Sequence, residues 1–219
     1  MNWVSANSAQ ILALLWAHIM ISVPAIILSV LIAVPLGRLA HSSGRARGSI
    51  LSATGILYAI PSLPLLIVIP LIFGIALRSP ATMIIALTIY GVALLTRTAA
   101  DAFAAIPEEV TAAATATGFT PRGRFVHIEL PLAMPVLIAG TRVVAMSTIG
   151  LVTIGALIGI PSLGSLLTDG FQRGIAAEIT TGIVLTLALA ALIDASLWIA
   201  GRLAQPWTRA PEAGQRVNA

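Results

Sequence analysis

ILALLWAHIMISVPAIILSVLIAVPL, from Ile11 to Leu36, runs for 26 residues without a formal charge. A helix rises about 1.5 Å per residue, and about 20 apolar residues carry it across ~30 Å of hydrocarbon, so this stretch is long enough to span a bilayer. Lipid offers no partner to a backbone amide or carbonyl, so the span must be helical. A cleaved signal peptide would open on basic residues and carry a shorter apolar region. Met1 to Gln10 is uncharged here, and the span reads as retained. The rest of the chain agrees: 58 % of residues are hydrophobic and 9 % charged, against about 25 % charged in soluble domains, which excludes a water-soluble fold.

Four more spans follow. Ile50–Phe73 is apolar but interrupted by Pro61, Pro64 and Pro70, which lipid tolerates where neighbouring helices or a cavity satisfy the freed carbonyls, so it is expected to line something. Ser79-Pro80 has the helix-start pattern of a capping side chain followed by proline, opening a third span that ends near Arg97. Residues 98–131 are polar enough to leave the membrane. A fourth span is expected from about Pro135 to Ile158 and a fifth from about Ile179 to Ala200. The expectation is an all-α, polytopic membrane protein with about five transmembrane helices. Residues 1–205 form one transmembrane domain with a cytoplasmic loop at 98–131, and residues 206–219 a cytoplasmic polar tail.

Charge orients the model. The chain has twelve arginines and no lysine. Nine arginines (38, 45, 47, 97, 122, 124, 202, 209 and 216) fall on one side of the five-span scheme and two, Arg78 and Arg173, on the other, with Arg142 near the end of span four. Positive residues collect in the cytoplasm, so the N-terminus is expected outside and the C-terminus inside. Trp3, Trp16, Trp198 and Trp207 fall near span ends as interfacial anchors. The pI near 11.0 therefore reports membrane orientation, with no nucleic-acid partner expected. Lacking lysine, the chain has neither a Walker lysine nor a Schiff-base lysine; lacking cysteine, it has no disulfide and no thiolate metal site. Any ATP use belongs to a partner.

The longest connection, PEEVTAAATATGFTPRGRFVHIELP (Pro107 to Pro131), reads as two short helices. Pro107 suits a first helical position and Glu108 and Glu109 the positive end of a helix dipole. Gly118 supplies a left-handed cap, and Thr120-Pro121 starts the second helix. On local pattern the segment is equally a docking element for another protein and a solvated interfacial loop.

Its residues resemble the EAA motif of inner-membrane components of binding-protein-dependent ABC importers: Glu-Ala-Ala, three residues, Gly, nine residues, Ile-x-Leu-Pro. Ala113, Ala114, Gly118, Ile128, Leu130 and Pro131 occupy the matching positions, while the motif's glutamate is Ala112 here. Glu108 and Glu109, four and three residues earlier, are candidates to replace it. The resemblance covers roughly residues 15–205. AIPSLPLL in span two, ELPLAMPVLIAGTR entering span four and TIGALIG continuing to PSLGSLL are similar to permeases for glycine betaine, choline, carnitine and related osmoprotectants. It implies the type I (MetI-like) ABC importer permease fold in the inner membrane of a bacterium. It also implies three protein partners: cytoplasmic ATPase subunits carrying ATP and magnesium, a second permease chain (the same or a paralogue), and an extracytoplasmic binding protein. The surrounding partner is membrane lipid. No cofactor, metal or ATPase site is expected in this chain.

Within the spans, aromatic faces suit a quaternary ammonium, which has no hydrogen-bond donor. Tyr58 before Pro61 and Ser62, Tyr90 in mid-span and Thr148 are pathway candidates, with packing through a satisfied hydroxyl as the other reading of the tyrosines. Gly155, Gly159, Pro161 and Gly164 break the outer end of span four, where the resemblance puts a gate-proximal segment; a plain re-entrant turn is the alternative. Asp194, an acid well inside a span, is expected to pair with Arg142 in preference to meeting a cationic headgroup. His18 and Ser22, one turn apart, read as packing groups. A permease for an amino acid or methionine is the rival within the class; an intramembrane enzyme or a scaffold is the rival outside it. The scattered His18, His41 and His127 give the enzyme no catalytic or metal cluster.

Overall fold

In the computed structural model residues 2–205 are described, and among them every regular element is a helix. The tail from 206 onward, with Trp207, Arg209 and Arg216, lies outside the described residues. A short helix α1 (Asn2–Ala6) leads into α2 (Ser8–Ser42), which continues through Pro24 and Pro35. Then come α3 (Gly44–Ala59), α4 (Ser62–Phe73), α5 (Pro80–Ala104), α6 (Glu108–Ala116) and α7 (Pro121–Arg124). A π-helical turn, Phe125–Glu129, joins α7 to α8 (Leu130–Val152), and a 3₁₀ segment, Thr153–Ile158, closes α8. The chain ends in α9 (Leu163–Arg173) and α10 (Ala176–Ala204).

Helices α2, α5, the run Pro121–Ile158 and α10 are each long and apolar enough to cross a membrane. The proline-rich second run is not one rod: it breaks at Ile60-Pro61, and α3 and α4 meet at 108°, a bent pair that makes the fifth span if counted as one. Of its three prolines only Pro61 breaks the helix, because Pro64 lies in the first turn of α4, where an amide has no intrahelical partner anyway, and Pro70 is carried inside α4. Two expected boundaries move. The helix of the third span does not stop at Arg97 but continues to Ala104, which leaves a short connection before α6. Pro107 is the N-cap of α6 and not its first helical residue.

The α2–α5 pair forms the spine of the bundle. Ala25, Ser29, Ala33 and Gly37, spaced at four residues, are all buried on one face of α2 and let the backbones approach closely. A Cβ on Gly91 of α5 would lie 2.1 Å from Ser29 Oγ, and one on Gly37 would lie 2.4 Å from the Ala99 Cβ. Such contacts take the place of hydrophobic driving force, which is weak between helices in lipid. Helix α10 is peripheral, with 6 % of its apolar window buried.

Polar contacts sort the helix ends. Arg38–Glu129 (2.9 Å) and Arg47–Asp101 (3.3 Å) draw the end of α2, the start of α3, the end of α5 and the π turn to one end of the bundle. Arg78, beside Gly159, and Arg173, paired with Glu178, lie among the connections at the other end. Among the described arginines the partition is seven against two, nine less the masked Arg209 and Arg216.

Candidate functional site

At the arginine-rich end, α6 and α7 form a helical hairpin. Gly118 has φ +90°, and the α6 carbonyls are closed by Phe119 N–H to Ala114 O (3.1 Å) and Gly118 N–H to Thr115 O (3.1 Å). A side chain would resist that backbone, which glycine adopts freely. Thr120 Oγ1 then accepts from Gly123 N–H (3.2 Å), capping α7. Glu108, Glu109, Ala112 and Ala113 are exposed on α6 and Ala114 is buried beneath them. The three threonines on α6's flank bond back to the helix: Thr111 to Glu108 O, Thr115 to Thr111 O and Thr117 to Ala113 O.

What fixes the hairpin to the bundle is Glu129, a residue the sequence reading did not single out. It is 7 % exposed and accepts Arg38 Nε at 2.9 Å on one oxygen and Arg124 Nε at 2.7 Å on the other. Arg124 NH1 also donates to Thr115 (3.0 Å), so one guanidinium ties α6 to the π turn. Arg38 stacks 4.5 Å above the Phe125 ring, and Phe125 meets Phe103 of α5 at 6.0 Å. A buried carboxylate is costly unless its lone pairs are met, and two arginines meet them. The sole sequence signal was an acid just ahead of Leu130-Pro131, whose partner lies 91 residues away. Ile128, Leu130 and Pro131 are half-buried, Leu130 packing on the Phe103–Leu137 cluster.

The pathway candidates gather around the helix break. The carbonyl of Ile60 stands at the break, just before the N-cap Pro61 and outside α4, and the Tyr90 hydroxyl donates to it. Tyr58 meets Tyr90 edge-on at 6.3 Å and 83°. Both rings, with Gly91, Ser147 and Thr148, line a cavity of about 40 Å³, and Ser62 lines a smaller one that Tyr90 also borders. Pro61 is exposed at the bend. The two tyrosines differ: Tyr90 is 9 % exposed with its hydroxyl committed, whereas Tyr58 is 55 % exposed.

The end of α8 away from the hairpin carries the glycines. Where α8 tightens into the 3₁₀ segment, the Thr153 amide turns to Gly150 O and away from Ile149 O. His18 Nε2 donates to that Ile149 carbonyl at 3.2 Å, so a histidine read as packing serves as a cap; its Nδ1 has no partner. Ser162 Oγ donates to Val152 O (3.3 Å) and accepts from Gly164 N–H (3.1 Å), which begins α9 with a capping box. Gly164 sits so close that a Cβ would fall 2.1 Å from Thr153 O. Gly159 turns the chain at φ +81°, Gly155 is buried against Met83 and Ile160, and Pro161 is exposed. The segment is thus a 3₁₀ turn followed by an 11-residue helix that packs on α10 and on that turn. Arg142 and Asp194 join α8 to α10 through two 2.7 Å bonds, the bidentate pair expected of them.

Comparison with known proteins gives the same picture. Residues 25–209 match the family model described as binding-protein-dependent transport system inner membrane component. The choline transport system permease protein OpuBB of Bacillus subtilis (strain 168) is 31 % identical over 205 residues, covering 94 % of this chain and 93 % of that one. The glycine betaine/carnitine/choline transport system permease protein OpuCD of the same organism is 27 % identical, covering 88 % and 83 %. In shape the chain is similar to one in a crystal structure of the MetNI methionine ABC transporter in an inward-facing conformation, with TM-score 0.79, 21 % identity, and coverage of 89 % and 95 %.

Proposed function

The chain belongs to the family of binding-protein-dependent transport system inner membrane components, and from that premise we propose that it is the permease of an ATP-driven importer for osmoprotectants such as glycine betaine, choline or carnitine. It is a multi-pass membrane transport component. The observation that carries the substrate reading is the 31 % identity to a choline permease along 94 % of this chain. The spans add a weaker chemical support: around the α3–α4 break they present tyrosine rings and small hydroxyl residues without a full charge, which suits a zwitterion or a delocalised cation. Likeness to the methionine transporter is one of shape, at 21 % identity, and carries no substrate.

In this reading ATP and magnesium bind a separate cytoplasmic subunit, consistent with a chain that lacks lysine. The α6–α7 hairpin docks that subunit, with Ala112 in the motif's acidic position and Glu108 or Glu109 as its replacement. A second permease chain completes the pathway, and an extracytoplasmic protein delivers solute to the end bearing α9. The N-terminus faces outward and the C-terminus the cytoplasm. ATP-driven closure at the hairpin shifts the population between inward-open and outward-open states. The test is uptake by proteoliposomes holding the assembled transporter with its binding protein. Glycine betaine, choline or carnitine is expected to accumulate on ATP addition; movement of methionine or arginine with none of these amines overturns the substrate reading.

A further inference from the structure

In the half of the bundle nearest the hairpin, α2, α8 and α10 leave an apolar cleft that their side chains do not fill. Its two joined lobes measure about 350 and 360 Å³ and share Val30, Leu31, Ile138 and Thr141. The Thr141 hydroxyl already donates to Leu137 O (2.8 Å), so the walls call for an apolar occupant. From Ile26 to Pro35 the cleft follows α2 through nine helical rises, about 14 Å at 1.5 Å each and roughly half of a ~30 Å hydrocarbon core. That is the depth of one leaflet. Positive charge stands at its mouth: Phe125 closes one lobe beneath the Arg38 guanidinium, 4.5 Å from the ring centroid. Gly201 and Ala204 of the other lobe flank Arg202, which lies 4.2 Å over the Trp198 ring.

We infer that this cleft binds an anionic phospholipid of the cytoplasmic leaflet, one acyl chain lying between α2, α8 and α10 and the phosphate resting against Arg38 and Arg202. The inference rests on the orientation proposed above only for naming the leaflet. Arginine holds its charge and offers a planar set of donors to phosphate, and the cytoplasmic leaflet is the one rich in anionic lipid. A second copy of the chain seated on this face is the competing occupant, and the experiment below separates the two. The chain's own tail, PWTRAPEAGQRVNA, is too polar for these walls.

The assembled transporter, stripped in detergent, is titrated with phosphatidylglycerol or phosphatidylcholine, and bound lipid is counted by native mass spectrometry. Phosphatidylglycerol is expected to be retained in preference to phosphatidylcholine. Arg202→Gln lowers its occupancy about fivefold, the equivalent of ~1 kcal/mol for one basic residue at the membrane surface, and leaves phosphatidylcholine unchanged. Leu31→Trp, at a position already 63 % exposed, fills the shared wall and removes the bound lipid. Thermal unfolding of each variant in the same detergent separates this from misfolding, with Leu197→Trp on the facing wall as the second variant. Equal retention of the two lipids, unchanged retention in both tryptophan variants, or a disulfide between cysteines at position 31 of two copies overturns the inference. Labelling from outside of a cysteine introduced at Ser43 would overturn the leaflet and leave the lipid count untouched, so the two readings fail separately.

Discussion

The hydroxyl of Tyr90 on α5 donates to the carbonyl of Ile60, the residue that caps α3 at the break. This bond holds the corner where α3 turns into α4 at 108°, and it separates the two span tyrosines into a structural one and an open one.

Tyr90→Phe removes that donor and leaves a carbonyl unmet at the bend, at a cost of about 1–3 kcal/mol. The purified protein is expected to unfold at lower temperature and to transport more slowly. Tyr58→Ala, at the exposed ring, is expected to lower transport with little change in unfolding temperature. Equal losses of stability in both variants would contradict the division of roles.

Glu129→Gln keeps the shape of the side chain but removes the charge that both arginines meet, weakening two charge-assisted bonds worth about 1.5–3 kcal/mol each. The assembled transporter should keep its basal ATP hydrolysis and lose the stimulation by solute-loaded binding protein. Stimulation at the wild-type level would show that the hairpin needs no anchor on α2.

Gly118→Pro alters the cap geometry and deletes the amide that bonds Thr115 O, so solute-stimulated ATP hydrolysis should disappear while the spans remain inserted. Glu108→Ala should weaken coupling more than Glu109→Ala if Glu108 stands in for the acid missing at Ala112. Negligible effects of both would remove the replacement and leave the docking hairpin.

Cysteines introduced at Ser43 and Gly123 should react with an impermeant thiol reagent only once the inner face is opened, and those at Ser5 and Ser165 should react in intact cells. Labelling of Gly123 from outside would invert the orientation and exclude the hairpin from ATPase docking.

The crossings were legible because charge-free length is enough to specify a helix in lipid, and the starts at Ser79, Thr120 and the cap at Gly118 because each rests on local backbone chemistry. Distant pairings were less so. The intramembrane Asp194–Arg142 pair could be anticipated since an acid in a span demands a partner. Glu129, in a polar stretch, made no such demand, and its arginine on α2 is 91 residues away. His18 looked like packing because its acceptor exists only once α8 tightens at Thr153, a tertiary event with no signature near position 18. Prolines foretold a disturbance of the second span, but 108° depends on which freed carbonyl finds a donor, here one on α5.

Helix α2 is fastened to the helical run that passes through α8 at both ends: Arg38 to Glu129 at the hairpin end, and His18 to the Ile149 carbonyl at the other. The fasteners are twenty residues apart on each partner, 18 to 38 and 129 to 149, about 30 Å on helices that run in opposite directions. Two rods pinned at matched intervals cannot slide past one another without breaking a pin, though they can tilt together. A displacement of the hairpin is therefore expected to reach the 3₁₀ turn and α9 as rotation of one frame, with no shift of register between the two helices.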